Sequence, residues 1–369
     1  MLINLNKKSF KKFDFLLLIT TILLSIYGIV MIYSATLSLN STRYVQTQII
    51  STIIGLFAIL ILIFFDYELL EKLYIPIYIL SIGLLIAVLI FGVGDDQWGS
   101  KSWLYIGSFG FQPAEFAKVG VIISLARIID KYKEDINSPK TLAKILIFAL
   151  IPIGLILRQP DLGTAMVFVF FTAVMLFVAG LRIKYFLAAL GVVVFSLPIV
   201  WLQMADYQKE RIYNFLNPER DPSATGYQAL QSRIAIGSGK LFGRGLFNGS
   251  QTQLNYLPEK HTDFIFAVIV EELGFLGGTV LLLLYLILLM RMIRIAKNTT
   301  DVFASLVVTG IASLLFIHIF QNIGMTIGLM PITGIPLPFM SYGGTFQLIN
   351  LVCVGIVLSI GLHKEGLSF

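Results

Sequence analysis

The sequence predicts an all-α polytopic membrane protein of about ten transmembrane helices. Both termini lie in the cytoplasm, and one large extracytoplasmic loop separates helices 7 and 8. Composition is the first observation behind this. The 369 residues are 57% hydrophobic and 13% charged, whereas an average soluble domain carries about 25% charged residues. A water-soluble globule cannot hide so much apolar surface. Soluble domains, a disordered chain and a nucleic-acid-binding module are therefore excluded. The second observation is the form of the apolar runs. They are continuous, as in LLLITTILLSIYGIVMIY, whereas a transmembrane barrel needs alternating apolar and polar residues. The third is the distribution of positive charge. With the N-terminus inside, 16 of the 27 Lys and Arg lie on the inner side and 7 of the other 11 lie in a single long loop. Long loops carry little weight in setting orientation, so a strong inner bias remains.

A span needs about 20 mainly apolar residues. Segments that qualify run over 15–35, 47–65, 73–93, 114–129, 145–158, 162–181, 185–202, 275–291, 302–324 and 346–362. The first follows Lys7, Lys8, Lys11 and Lys12. Its apolar core exceeds the roughly 7–15 residues of a signal peptide, so it reads as a retained helix. The fifth and sixth are joined only by Gln159, Pro160 and Asp161, which makes a tight hairpin. The run from Phe264 to Met290 is too long for one straight span at about 1.5 Å per residue. Gly274, Gly277 and Gly278 interrupt it, which suggests a short re-entrant or interfacial helix over 264–273 before the span. The chain 1–369 reads as one transmembrane domain without internal repeats. Cys353 is the only cysteine, so an intrachain disulfide and a thiolate metal cluster are excluded.

Unusual sequence collects on the outer side, in Gly94–Pro113, in the long loop 203–262 and in Met330–Thr345. Ionisable residues inside a span are expensive, and each is a functional hypothesis by default. The fourth span opens PAEFAKVG, where Glu115 and Lys118 share one helix face. They could form a structural ion pair or the wall of a polar cavity. Arg158 and Asp161, in RQPD, stand at the same outer depth and could neutralise each other across the turn. The long loop has a net charge of +2, with Arg211 and Lys260 among its basic residues. It could be a solvated loop, or it could recognise an anion at the membrane surface. GSGKLFGRG within it fails the phosphate-loop pattern, because Leu241 stands where Ser or Thr should follow Gly239-Lys240. An ATPase is rejected.

The loop ends in LPEKHTDFIFAVIVEELG, which gathers Lys260, His261 and Asp263 at the mouth of an apolar helix. Partial desolvation by Phe264 and Phe266 would raise the Asp263 pKa toward the range of a general base. An aspartate here could equally be a helix N-cap. Glu271 and Glu272 lie deeper, and at least one is expected to pair or cap. In GIPLPFMSYGG, Pro336 and Pro338 stiffen an extended chain. Ser341-Tyr342-Gly343-Gly344 permits a tight turn. His318, inside an apolar span, reads as a satisfied packing residue. No His/Cys/Asp group has zinc-like spacing.

FQPAEFAK, RQPDLGTA, LPEKHTDFIFAVIVEELG and GIPLPFMSYGG occur in this order within a ten-span frame. Together they resemble the SEDS family of bacterial shape, elongation, division and sporulation proteins. TQLNYLPEKHTDFIF with GIPLPF is more similar to its elongation (RodA) branch than to its division branch. The resemblance implies a peptidoglycan glycosyltransferase of the cytoplasmic membrane, which polymerises lipid II into glycan strands on the outer face. It implies a class B penicillin-binding protein as transpeptidase partner, and elongation-complex membrane proteins beside it. It places the family's essential acidic residue at Asp263, and Glu115, Lys118 and Asp161 along a central polar cavity. With that chemistry, Asp263 would deprotonate the acceptor hydroxyl. Lys118, Arg211 and Lys260 would be candidates to stabilise the pyrophosphate leaving group. Arg158, His261, Ser341 and Tyr342 complete the candidate cavity. A divalent cation, Mg²⁺ or Mn²⁺, could serve the leaving group too, although no ligand set identifies one. Competing readings are a flippase for the lipid-linked precursor, a non-catalytic scaffold, or a division or sporulation paralogue.

Overall fold

A computed structural model describes residues 13–39, 41–94, 102–107, 109–204, 206–221 and 225–363. Lys7, Lys8, Lys11 and Lys12, much of the Gly94–Pro113 loop and Lys364 lie outside the described residues. Among the described residues, twelve helices of 11 residues or more organise the chain. They are α1 (Phe15–Thr36), α2 (Arg43–Phe64), α3 (Tyr74–Phe91), α4 (Pro113–Lys131), α5 (Pro139–Leu157) and α6 (Leu162–Val178). Then follow α7 (Ile183–Gln203), α8 (Asp206–Leu216), α9 (Thr225–Gly239), α10 (Ile265–Lys297), α11 (Val302–Thr326) and α12 (Gly344–His363). Two short antiparallel strands, β1 (Leu104–Ile106) and β2 (Phe109–Phe111), pair Leu104 with Phe111.

Each expected span coincides with a helix. Seven are long and apolar enough to cross a membrane, and α6 and α7 contain shorter apolar helices. The tenth, α4, carries Glu115, Lys118, Arg127, Asp130 and Lys131, which lower its mean hydropathy. Helix starts follow local chemistry. Asp14 caps α1 by accepting from the Leu17 amide at 3.0 Å, and Pro113 and Pro139 occupy the first turns of α4 and α5, where a missing N–H costs nothing. Asp14 also pairs with Arg291 at 2.7 Å, tying the start of α1 to the end of α10. The long outer loop is largely helical, through α8 and α9.

The centre is made by α11 and α12. Their membrane-length windows are 78% and 89% buried, against 17% for α3 and 28% for α2. The outer helices present Ile, Leu and Phe outward, as a lipid-facing surface requires.

Helix α10 is broken at Gly274 (φ 70°, ψ −168°). A break inside a membrane span frees backbone groups that lipid cannot satisfy. Here the loop after α9 supplies the partners. The Arg244 and Gly245 amides donate to the carbonyls of Glu271 and Glu272, both at 3.0 Å. The Phe275 and Leu276 amides donate to Lys240 and Leu241 at 2.9 and 3.2 Å. Gly243 (φ 81°) and Gly274 meet backbone to backbone, and a Cβ on Gly243 would overlap the Glu272 carbonyl. Gly243→Ala is therefore expected to cost about 1–3 kcal/mol from the left-handed backbone alone, with the overlap added. A thermal melt in detergent that matched wild type would contradict this.

Candidate active site

Asp263 lies in the turn Glu259–Phe264, immediately before α10. The turn closes with the Phe264 amide donating to the Glu259 carbonyl at 3.2 Å. The N-cap alternative does not hold. Helix α10 begins after Phe264, and no side chain caps it, because the turn carries Asp263 out of capping position. Its carboxyl is half-buried, and Oδ2 faces Gly334, where an added Cβ would sit 3.5 Å away. Burial pushes the Asp263 pKa up to about 7; Glu259 adds to the rise and Arg211 opposes it. A carboxyl near neutrality exchanges protons at physiological pH, as a general base must.

The segment after α11 forms the facing wall. Residues 331–337 have no regular secondary structure and pass through Gly334 at φ 69°, with Pro336 and Pro338 denying the chain two amide donors. The backbone then turns through Phe339 (φ 65°). Ser341 is fully buried. Its Oγ accepts from the Leu337 amide at 2.8 Å and donates to the Thr262 carbonyl at 2.5 Å. The Tyr342 amide donates to the His261 carbonyl at 2.8 Å. Two motifs far apart in sequence, HTDF and SYGG, are thus laced together by one side-chain and one backbone hydrogen bond. Gln48 of α2 clamps the same turn, accepting from the Gly343 amide at 3.2 Å. Tyr44, His261 and Tyr342 form an aromatic trio with centroids 4.8–5.7 Å apart. Burial lowers the His261 pKa, keeping its imidazole neutral at physiological pH.

Glu115 and Lys118 form a buried ion pair at 2.7 Å. Lys118 Nζ also lies 2.9 Å from His318 Nε2. The lysine is thus part of a three-residue cluster, and His318 is more than a packing residue. Asp161 caps α6 by accepting from the Thr164 amide at 2.9 Å. Arg158 ends α5 and is exposed, and among the described residues no ion pair joins it to Asp161. The start of α6 packs on the same wall, because Gly163 meets the Thr333 carbonyl and the Ile335 side chain.

Lys260 points elsewhere. Its ammonium is buried and donates to Ser38 Oγ and Asn255 Oδ1, both at 2.7 Å, and to the Thr252 carbonyl. All three donors are taken, so it holds the loop together and has no proton left for an anion. Burial lowers its pKa to about 8, against the pull of Glu271 and Glu272. Both glutamates cap rather than react. Glu271 accepts from the Gln251 and Thr252 amides at 2.7 and 3.1 Å, and Glu272 from Ser34 Oγ and the Phe247 amide. Arg211, on α8, lines a shallow cleft with Asn214, Arg233 and Met330.

Asn322 was missed in the sequence. It is fully buried, and its amide donates to the carbonyls of Asp263 and Ile335, both at 2.8 Å. The signal was present as His318, Gln321 and Asn322, three polar residues at helical spacing inside an apolar span. Among the described residues no three His, Cys, Asp or Glu converge on a metal position.

The family model for FtsW, RodA and SpoVE, described as "Cell cycle protein", matches residues 14–366. Peptidoglycan glycosyltransferase MrdB of Escherichia coli K12 is 38% identical over 371 residues, covering 99% of this chain and 98% of that protein. A chain in a structure described as "Structural coordination of polymerization and crosslinking by a peptidoglycan synthase complex" superposes with a TM-score of 0.84 at 31% identity, covering 96% of this chain and 99% of that one. The crystal structure of Thermus thermophilus rod shape determining protein RodA superposes with a TM-score of 0.73 at 29% identity, covering 96% and 98%. On the family match over nearly its whole length, the chain belongs to the FtsW/RodA/SpoVE family of multi-pass membrane proteins.

Proposed function

We propose that this protein is a peptidoglycan glycosyltransferase of the elongation type in the bacterial cytoplasmic membrane, polymerising lipid II on its outer face. One observation carries the reading. A half-buried carboxyl with a pKa near 7 is held between two interlaced outer motifs, in a chain whose relative MrdB is named for this activity. Asp263 takes the proton of the acceptor sugar's 4-hydroxyl. The oxygen attacks the anomeric carbon of the donor, the bond to the diphosphate breaks, and inversion leaves a β-1,4 linkage. The polyprenyl diphosphate departs with the negative charge. Arg211 is the basic side chain with an electrostatic effect on Asp263, and it is assigned to that charge. Lys118 is paired and Lys260 is fully bonded, so both serve structure first. His261 and Tyr342 offer ring surface beside the base. A divalent cation accompanying the diphosphate remains compatible with this reading and unassigned to any residue.

A class B penicillin-binding protein is the proposed partner, with other elongation-complex membrane proteins. The superposable chain in a complex that coordinates polymerisation and crosslinking supports this. Incubating the purified chain with lipid II, alone and with a transpeptidase-inactive partner, tests the reading by glycan length on a gel. Absence of glycan in both, from folded protein with the partner bound, would shift the reading to lipid-precursor transport or scaffolding. The base must be ionised to act. Below pH about 6 the rate should therefore fall about tenfold per pH unit, levelling above about 8. A flat profile across pH 5–8 would remove Asp263 from the proton transfer.

A further inference from the structure

The wall facing Asp263 closes on itself only at the Leu337–Ser341 turn. Pro336 and Pro338 lack amide protons, so the strap Gly334–Pro338 builds no ladder of its own. The Leu337 carbonyl accepts from the Met340 and Ser341 amides of the turn that follows, and three other carbonyls are held by side chains from neighbouring helices. Ile335 is held by Asn322 at 2.8 Å, Pro336 by His318 at 3.3 Å, and Pro338 by the Tyr285 hydroxyl at 2.5 Å. His318 and Asn322 stand one turn apart on the same face of α11, and both are buried. The second acceptor of the Asn322 amide is the Asp263 carbonyl itself.

The role of His318 depends on its proton. A lysine ammonium has only donors, so at 2.9 Å from Lys118 Nζ the His318 Nε2 must accept. The ring is then neutral, and its one N–H is at Nδ1, on the side of the Pro336 carbonyl. Glu115 accepts from Lys118 Nζ at 2.7 Å and so fixes where the ammonium points. From α12, Phe346 stacks on the ring with centroids 5.5 Å apart, and Cys353 lies within electrostatic reach of the Glu115–Lys118 pair.

We propose that His318 and Asn322 are positioning residues, which hang the Gly334–Pro338 strap and the Asp263 backbone from one face of α11. The Glu115–Lys118 pair holds His318 in the tautomer this requires. The buried charges near the site thus act on the base through a histidine, without touching substrate. This inference rests on Asp263 being the base of glycan polymerisation.

The test uses full-length protein in detergent with lipid II. His318→Leu should lower kcat by about 10²-fold, the order expected when a reacting group is misplaced by about 1 Å. KM should stay within about threefold, and the acid limb of the pH profile should move as the Asp263 surroundings change. His318→Gln, which can still accept from Lys118 and donate to Pro336, should recover at least about a tenth of wild-type kcat. The chain has only three histidines, so ¹⁵N-histidine spectra of wild type give a readout independent of activity. The signal absent from His318→Gln should report a neutral, Nδ1-protonated ring between pH 6 and 9. A charged ring or an Nε2-protonated one overturns the proposal. So does a folded His318→Leu with wild-type kcat and an unmoved acid limb. If His318→Leu does not fold, the spectrum and His318→Gln decide, and a folded, inactive His318→Gln counts against. Asp263→Asn is run beside them. If it polymerises like wild type, the base reading has failed, while the spectrum still judges whether His318 hangs the strap.

Discussion

Asp263→Asn is expected to lower glycan polymerisation by about 10²–10⁴-fold, the contribution of a general base, while the protein folds as before. The same change should raise stability. The Asp263 pKa in the folded state, about 7, is above the ordinary carboxylate value. Folded protein therefore holds this proton more tightly than unfolded chain does. Ionising the group costs stability, and the cost grows as pH rises from about 4 through about 7. Asparagine removes that cost. The variant should melt at a higher temperature than wild type at pH 8, and the gap should close as the pH falls toward about 4. Loss of activity with an equal loss of melting temperature would mean that the residue is structural. Asn322 and Ser341 hold the surrounding backbone through the Asp263 and Thr262 carbonyls, so the substitution leaves that lacing intact.

Glu115→Ala should be the most destabilising single change near the site. It leaves the Lys118 ammonium buried without its counter-charge, and breaking a buried pair in this way costs about 3–5 kcal/mol. Only 2% and 6% of the two side chains' surfaces are exposed, so water cannot compensate. The double variant Glu115→Leu/Lys118→Met removes both charges with similar volume. It should recover most of the loss, less the roughly 1–3 kcal/mol of an unpaired His318 Nε2. Activity should stay low in the double variant, because His318 then has no charged donor to set its tautomer. Thermal melts of the three proteins check the energetics. A double variant as unstable as Glu115→Ala would place the cost in packing rather than in charge.

The helical frame was legible because a bilayer imposes one length and one polarity on every span. Boundaries drawn from apolar runs alone fall within a few residues of α1, α3 and α11. The start of α5 was less legible: Pro139–Leu142 belong to the helix by the Ser138-Pro139 start, ahead of the apolar run at 145. The break at Gly274 was legible too, since the 27 residues from Phe264 to Met290 exceed one span and glycine marks where the chain can turn. Its repair by the loop at 240–245 was not, because that pairing is backbone to backbone and leaves no side-chain signature beyond Gly243.

Individual site residues divide in the same way. Asp263, Glu115 and Lys118 stood out in the sequence because a charge at or in a membrane span is costly and therefore conspicuous. Lys260 stood out for the same reason, and only its three acceptors showed that its charge is used to hold a loop. His318 and Asn322 carry no charge and sit among apolar residues. Their importance lies in which carbonyls they reach, and those belong to segments distant in the chain. The sequence by itself determined the membrane class, the ten-helix frame and the motifs that carry charge, because hydropathy and charge are properties of each residue. The tertiary structure alone decided which charge faces the reacting side and which is spent on structure. That depends on direction and on partners, and no residue specifies its partners without the fold.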